Sequence, residues 1–244
     1  MPATARRPRL SPWARVVSVS AILVVGILAA LGIAALASSR ERLVSFAVAG
    51  QLDGVSLDLG ESTVDVVPAD QGSTVRIERL DSYMFGHGAE VQRTVVGGRL
   101  RLRSRCPATV LHSCSVAYRV TVPDNVPIDV RTGGGDVRFH DYRGSAQIST
   151  DRGNITVDGF CGFLLQARTE SGDVTASTNC PPPQLSLRST SGDVRATVPT
   201  GRYQVDAASA SGSLSVDGIV ETADAPFSIE VLSSTGDVRV EGRR

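Results

Sequence analysis

The fold of this chain is decided by residues 189–194, which read Ser-Thr-Ser-Gly-Asp-Val. The central phrase, a Gly followed by Asp, Asn or Ser and then by Val, Ile or Leu, occurs six times after residue 130. Successive glycines are separated by 18, 19, 20, 20 and 24 residues, and self-similarity at a near-constant period is typical of a solenoid. The six turn pairs are Gly135-Asp136, Gly153-Asn154, Gly172-Asp173, Gly192-Asp193, Gly212-Ser213 and Gly236-Asp237.

The residues around each glycine repeat in polarity with a period of two. Apolar residues stand seven and five positions before the glycine and two and four positions after it, and a Thr or Ser always stands three before it. This period is the pleat of a β-strand, so each repeat predicts two short strands joined by a turn at the glycine. Glycine reaches positive φ easily, and a following Asp or Asn can hydrogen-bond its own turn. Stacked in parallel at about 4.8 Å per repeat, these strands predict an all-β parallel β-solenoid.

A degenerate copy of the repeat is present upstream. If Ser62 replaces the anchor glycine, the matching offsets are occupied by Val55, Leu57, Leu59, Val64 and Val66. The β-rich region is therefore predicted to begin near residue 43. Short strands at intervals of about 8–12 residues are also compatible with a β-sandwich. A sandwich does not require one residue type at one offset in successive repeats, and this favours the solenoid.

Residues 16–37 form an uncharged apolar segment, about 30 Å long as a helix, which predicts a transmembrane helix. Four arginines and no acid precede it, so residues 1–15 are predicted to be a cytoplasmic tail. Residues 38–43 would then be a linker, and residues 44–244 an extracytoplasmic domain. A signal peptide cleaved after Ala37, within Ala-Leu-Ala-Ser, is the alternative, and it would give a secreted protein. Both interpretations export the domain.

The charge is distributed unevenly along the chain. All 25 basic residues are arginine and four precede the apolar segment, whereas all 25 acids follow it, so the exported part has a net charge of −4. A mildly acidic surface of this kind is not that of a general polyanion binder, and nucleic acid is not an expected partner.

Two disulfides are predicted, Cys161–Cys180 and Cys106–Cys114. All four cysteines lie in the part predicted to be exported, where oxidation is expected. The first pair is 19 residues apart, about one repeat, and would therefore stack on neighbouring rungs. The second pair would face each other across an antiparallel hairpin that pairs residues 100–102 with residues 118–120.

Sites for catalysis or metal binding are weakly supported. The recurrent Asp could form a calcium ladder, but one carboxylate per rung supplies too few oxygens at any point. His112 with Cys106 and Cys114 lacks a fourth zinc ligand, and His140-Asp141 lacks a nucleophile motif. A carbohydrate-active β-helix needs paired carboxylates and usually aromatic platforms, and the chain has only 11 Phe, Tyr and Trp. No catalytic residue, metal or cofactor is predicted.

The candidate binding feature is an arginine stripe, Arg99, Arg101, Arg103 and Arg105. A strand here would place four guanidinium groups on one face about 6.7 Å apart, and guanidinium binds phosphate or carboxylate in a bidentate fork. The stripe therefore predicts a site for an anionic envelope ligand. The alternative is a solvated strand face, charged to discourage edge-to-edge pairing. Residues 81–98 are predicted to be a protruding loop, either a contact site or a cover over the solenoid end.

The repeats at residues 169–174, 189–194 and 233–238, after a single apolar segment, resemble the bacterial "putative adhesin" family of β-strand-repeat exported proteins. The resemblance covers residues 44–244. It implies an exported β-repeat domain, in some members near envelope-stress systems, and it transfers no catalytic residues. The predicted function is a membrane-anchored β-solenoid that binds or scaffolds a glycan, lipid or protein of the cell envelope. The alternatives are a carbohydrate-active enzyme and an accessory subunit of an envelope-stress sensor.

Overall fold

The computed structural model of this chain describes residues 13, 20–30, 32, 40–69, 72–83, 88–107 and 114–243. Residues 20–30 are helical, and none of the helical residues described belongs to a helix long and apolar enough to cross a bilayer. Most of the predicted tail, residues 38–39 of the predicted linker, and residues 16–19, 31 and 33–37 of the predicted transmembrane segment lie outside the described residues. Residues 40–43 of the predicted linker instead belong to the first β-strand, so the β region begins at residue 40. From residue 40 onward the described chain is all-β.

Nineteen strands make up this β region. They are β1 (Arg40–Val48), β2 (Gly54–Pro68), β3 (Val75–Tyr83), β4 (Glu90–Val96), β5 (Arg99–Arg105), β6 (Cys114–Val122), β7 (Ile128–Gly134), β8 (Val137–His140), β9 (Ala146–Arg152), β10 (Ile155–Phe160), β11 (Leu164–Ser171), β12 (Val174–Thr178), β13 (Gln184–Ser191), β14 (Val194–Pro199), β15 (Arg202–Ser211), β16 (Leu214–Asp217), β17 (Val220–Glu221), β18 (Ser228–Thr235) and β19 (Val238–Arg243).

The strands form a solenoid-like stack with two mostly parallel sheets. One strand of each repeat joins a sheet that we call the front sheet, which contains β5, the first half of β2, β7, β9, β11, β13, β18 and β15. The other strand joins the back sheet, which contains β6, the second half of β2, β8, β10, β12, β14, β19 and β16. Each front strand, its turn and its back strand make one rung of the stack.

The core lies between the two sheets and follows the predicted offsets. Leu165 pairs with Leu185 and Val174 with Val194, so residues at equal distances from the glycine stack directly on one another. In every repeat except the one containing Gly212, the four apolar positions are buried. Burying these columns removes apolar surface from water, at about 25 cal/mol per Å², and this term drives the stacking.

The degenerate copy at Ser62 is confirmed residue by residue. Val55 and Leu57 pair with the repeat positions seven and five before Gly135, and Val64 pairs with the position two after it. Residues 54–68 therefore form a rung without the glycine. The serine is buried, and its backbone carbonyl lies under Gly135.

The N-terminal end of the stack differs from the predictions in two respects. β5 and β6 do not form a hairpin, because β5 pairs with the first half of β2 in the front sheet and β6 with the second half in the back sheet. The long β2 belongs to both sheets, so the strands that pair with its two halves, β5 and β6, lie in different sheets. Residues 81–98 are also not simply a loop, since β4 pairs antiparallel with β5 and β3 pairs antiparallel with β1 and β6. The aromatic part of that predicted loop, residues 84–87, lies outside the described residues.

The order of the rungs departs from the order of the sequence at both ends. At the C-terminal end, β18 lies between β13 and β15, and β19 lies between β14 and β16. The repeat containing Gly236 is therefore an interior rung, and the earlier repeat containing Gly212 is the outermost rung. At the other end, β2 is interior and the later β5 and β6 are outer. The outermost position explains why Leu214 is 50% exposed although its equivalents are buried.

Candidate functional site

The turn glycines form a column in which backbone packs directly on backbone. A Cβ built on Gly192 would lie under 3.0 Å from the carbonyl oxygen of Gly172, and the same contact recurs at each of the six glycines. Five of the six also have φ between +103° and +148°, and Gly212 is the exception. Both the conformation and the close approach exclude a side chain, so the glycines are structural.

The hydroxyl and Asx residues of the repeat satisfy the backbone of this column. Ser189 donates a hydrogen bond to the carbonyl of Gly172 at 2.8 Å, and Ser233 donates to that of Gly192 at 2.8 Å. The amide N–H of Asp193 donates to the side chain of Asp173 at 2.9 Å, and the same bond repeats from rung to rung. The prediction that each Asp satisfies its own turn was wrong, because each one accepts from the neighbouring rung.

The Asx side chains of this column are engaged with protein. Asp237 accepts hydrogen bonds from the backbone and side chain of Ser213, and these bonds hold the pKa of its carboxyl below the ordinary value. In the part of the chain that the structure describes, no group of three or more His, Cys, Asp or Glu residues could hold a metal. His140 lies 3.2 Å from Asp65 across the back sheet. His87 and His112 lie outside the described residues.

Both predicted disulfides are present. Cys161 and Cys180 join neighbouring rungs with a Cα separation of 5.0 Å, and Cys106 and Cys114 are separated by 5.7 Å between Cα atoms. The second bond joins Cys106, which directly follows β5 of the front sheet, to Cys114, the first residue of β6 in the back sheet, rather than two strands of a hairpin. It therefore fixes the end of the strand that carries the arginine stripe.

The arginine stripe lies on the outer face of the front sheet. In β5 the four arginines are exposed and alternate with the buried residues Leu100, Leu102 and Ser104. β5 is hydrogen-bonded on both sides, to β4 and to β2, so it is not an edge strand. The alternative interpretation expected a solvated strand face, and the arginines do lie on one, but β5 is not itself an edge that they could protect. A strand paired on both sides holds the four Cα positions in a fixed row.

Three of these arginines line a shallow depression that we call the arginine basin. Its volume is about 450 Å³, and its charged lining residues are Arg99, Arg101, Arg103, Arg131, Asp58 and Asp129. The neighbouring rungs place these groups together, because Arg103 stacks on Asp58 and Asp58 stacks on Arg131. Four guanidinium groups face two carboxylates, so the basin has a net positive charge in a domain whose sequence is mildly acidic.

The two carboxylates of the basin are each held by an arginine. Arg103 donates to Asp58 at 2.9 Å, and Arg131 lies 2.9 Å from Asp129. Among the described residues, Arg99 and Arg101 make no ion pair. These exposed pairs contribute little to stability, typically about 0–1 kcal/mol each. Their arginines can therefore exchange an internal carboxylate for an external anion at low cost.

Sequence reasoning found the stripe but missed Arg131, Asp58 and Asp129. The missing information was which rungs are neighbours, since residue 131 is adjacent to residue 103 only through the interior rung of β2. A signal was nevertheless present in the repeats, because an arginine stands four residues before the glycine in Arg131, Arg168 and Arg188. The residue four before the glycine lies between the buried positions five and three before it, so its side chain is on the outer face of the front sheet.

Comparison with known proteins identifies the family. The profile of the Toastrack DUF4097 family, a domain of unknown function, matches residues 120–243, which is just over half of the chain. The chain belongs to the Toastrack DUF4097 family. The match covers the regular repeats of this Toastrack chain and leaves β1–β5, with the arginine stripe, outside it.

One solved structure shows a similar architecture, and a second covers a similar share of this chain at the same sequence identity. A putative cell adhesion protein from Clostridium sporogenes superposes with a TM-score of 0.51 at 13% identity, covering 84% of this chain and all of that one. A putative adhesin from Bacteroides fragilis gives a TM-score of 0.46 at 13% identity and covers 83% of this chain and 97% of its own. At 13% identity, the similarity to the Clostridium sporogenes protein is evidence for the fold alone. No curated protein matches the sequence.

Proposed function

We propose that this Toastrack chain is a non-catalytic binding module of the cell envelope and that the arginine basin is its binding surface. Residues 16–37 anchor it in the membrane, and the β-solenoid lies on the extracytoplasmic side. Its ligand is an anionic component of the envelope that presents phosphate or carboxylate groups to the front sheet.

The observation that carries this proposal is the constellation of guanidinium groups in the basin. Arg101 makes no ion pair in the described structure, and it is exposed on a strand that is fixed on both sides. Guanidinium forms two parallel hydrogen bonds to a carboxylate or phosphate, so a row of them favours anions of that geometry. A scaffold that aligns them beforehand lowers the ordering cost of binding.

Other features support the location. Disulfides persist in oxidising compartments, and the chain has two. The four arginines before the apolar segment favour a cytoplasmic N-terminus. The adhesin names of the neighbouring structures agree with a role in binding at the cell surface.

The two carboxylates of the basin favour binding over catalysis. A glycosidase needs one carboxyl group that can act as an acid and a second that acts as a base or nucleophile. Here Asp58 and Asp129 are each paired with an arginine, so their oxygens are engaged with protein cations rather than presented to a sugar.

The test measures binding of the full-length chain, in a nonionic detergent, to mixed micelles that contain anionic phospholipid and to immobilised acidic polysaccharide. The variant Arg101→Gln/Arg103→Gln should lose at least tenfold in affinity, because each charge-assisted hydrogen bond contributes roughly 1.5–3 kcal/mol. The matched control is Arg76→Gln/Arg195→Gln, which removes two exposed arginines from the back sheet.

Parent affinity should fall as salt is raised, since exposed charges are screened over about 8–10 Å at physiological ionic strength. Equal loss of affinity in the control pair would mean that overall charge, and not the basin, is responsible. Absence of binding to any anionic probe at low salt would refute the proposal.

A further inference from the structure

The arginine basin continues into a longer groove on the same face. A second depression of about 530 Å³ crosses the front sheet, and it shares Asp129 and Arg131 with the basin. Its far end is lined by Arg188 and Glu230. The groove runs across the strands, parallel to the axis of the stack, from β5 to β13. Six strands at about 4.8 Å spacing make this track roughly 24 Å long.

The floor of the track consists of two columns of polar side chains in strict register. The first column contains, from β5 to β13, Arg101, Ser56, Asp129, Gln147, Gln166 and Ser186. It offers amide and hydroxyl groups in its middle, at Gln147 and Gln166, where both side chains are exposed. Such groups both donate and accept hydrogen bonds, as sugar hydroxyls do.

The second column supplies four cations, of which the first three are evenly spaced. It contains Arg103, Asp58, Arg131, Ser149, Arg168 and Arg188. The arginines of β5, β7 and β11 stand on every second rung, so their spacing along the axis is about 9.6 Å. A compact phosphate cannot span all three of these positions, which extend over about 19 Å, whereas an extended polymer can reach all of them.

Among the arginines of the second column, the one in the middle of the track is not engaged in an ion pair with any described residue. Arg131 pairs with Asp129 at 2.9 Å, and Arg188 pairs with Glu230 at 2.5 Å. Arg168 is exposed and makes no ion pair within the described ranges. Its neighbours in the first column are the two glutamines. A carboxylate beside several hydroxyls matches this combination of groups.

We propose that the track binds a linear uronic-acid-containing polysaccharide, which lies along the solenoid axis with a carboxylate facing the second column at every second sugar. This inference rests on the proposed function, because the basin would hold one end of the chain. One rung is comparable in length to one pyranose unit, so the repeat of the protein follows the repeat of the polymer. The glutamine and serine column contacts the sugar hydroxyls between the acidic positions.

The experiment uses hyaluronan oligosaccharides, which carry one carboxylate per two sugars, and the full-length chain in nonionic detergent. The hexasaccharide should bind at least tenfold more tightly than the disaccharide, because it reaches three arginines instead of one. Arg168→Gln should weaken hexasaccharide binding about tenfold and leave disaccharide binding unchanged. Arg195→Gln, on the back sheet, is the control for loss of one exposed arginine.

The contribution of the hydroxyl-binding column is tested separately. Gln147→Ala/Gln166→Ala should weaken the hexasaccharide and leave binding of a short polyphosphate unchanged, since polyphosphate has no hydroxyls along its chain. Polyphosphate binding without hyaluronan binding would overturn the polysaccharide assignment and leave the anion-binding basin in place. Equal affinity of Arg168→Gln and parent for the hexasaccharide would show that the ligand occupies the basin alone. Failure of every anion to bind would refute the basin itself.

Discussion

The glycine column gives the strongest test of the fold. In Gly192→Ala, the new Cβ would meet the carbonyl oxygen of Gly172 at under 3.0 Å while φ stays near +148°. The unfavourable φ costs about 1–3 kcal/mol for a residue with a side chain. The collision is with backbone, which cannot rotate away as a side chain could. The rung that contains Gly192 must therefore move away from the rung that contains Gly172.

The cost of that movement follows from the hydrogen bonds at the turn. Gly192 N–H donates to Thr235 at 2.8 Å, Gly172 N–H donates to Ser191 at 2.9 Å, and Asp193 N–H donates to Asp173 at 2.9 Å. Weakening two or three such bonds costs about 1 kcal/mol each. The variant should lose roughly 3–6 kcal/mol in total, and a domain of this size loses about 2–4 °C in Tm per kcal/mol.

Two control variants separate the cost of the positive φ from the cost of the close contact between backbones. Gly50 has φ of +113° but no atom within 4 Å of its added Cβ, so Gly50→Ala tests conformation alone. Gly212→Ala meets Gly236 closely without a left-handed φ, and it lies on the outermost rung, which can shift. Thermal unfolding followed by circular dichroism should rank Gly192→Ala as much the least stable. If Gly192→Ala and Gly50→Ala lose equal stability, close stacking of the backbone does not stabilise the fold.

Three further variants test the buried core, the ion pair between Glu230 and Arg188, and the disulfide between neighbouring rungs. Val194→Asp should cost several kcal/mol, roughly the penalty for an unpaired buried charge, whereas Arg195→Asp on the outer face should change chemical denaturation little. The hydrogen bond from Ser186 and the pairing with Arg188 hold the pKa of Glu230 below its usual value. The stability that comes from this lowered pKa is present above the unfolded-state pKa near 4.5 and is lost as pH falls through the lower folded-state value. Glu230→Gln should therefore be less stable than the parent at pH 7 and equal to it in acid, as measured by urea unfolding. Replacing Cys161 and Cys180 with Ala should remove about 3 kcal/mol in the chain-entropy model, with no change in the circular dichroism spectrum at 20 °C if the rungs still stack.

The repeat units could be predicted from sequence because their causes are local. Alternation around each glycine fixes which side chains are buried, and the copy at Ser62 shows that the offsets are informative even without the glycine. The predicted roles of Gly192 and Val194 follow from the same alternation. The buried columns in the structure are those that the period of two indicates.

The neighbours of each rung could not be predicted, because equivalent repeats are interchangeable in sequence. Leu187 could pack equally well on Ala207 or on Val231, and the structure places it against Val231. For the same reason Arg131 was not assigned to the arginine stripe, although it lies two strands from Arg103. The hairpin predicted for β5 and β6 was wrong because parity of apolar residues does not distinguish pairing within one sheet from packing across the core.

The reversed order of the terminal rungs limits how this architecture can grow. Between β7 and β14 each rung follows its predecessor in sequence and in space, so an added repeat of about 20 residues would extend both sheets without changing any other contact. Next to residues 202–243, an added repeat would separate β13 from β18 or β18 from β15, and it would have to be accommodated by a connection that crosses the stack. Duplication of repeats is therefore compatible with the fold in its middle and incompatible with it at its ends. Most of the groove on the front sheet, from β7 to β13, lies over that extensible middle, so its length can change by whole rungs while both ends of the molecule stay the same.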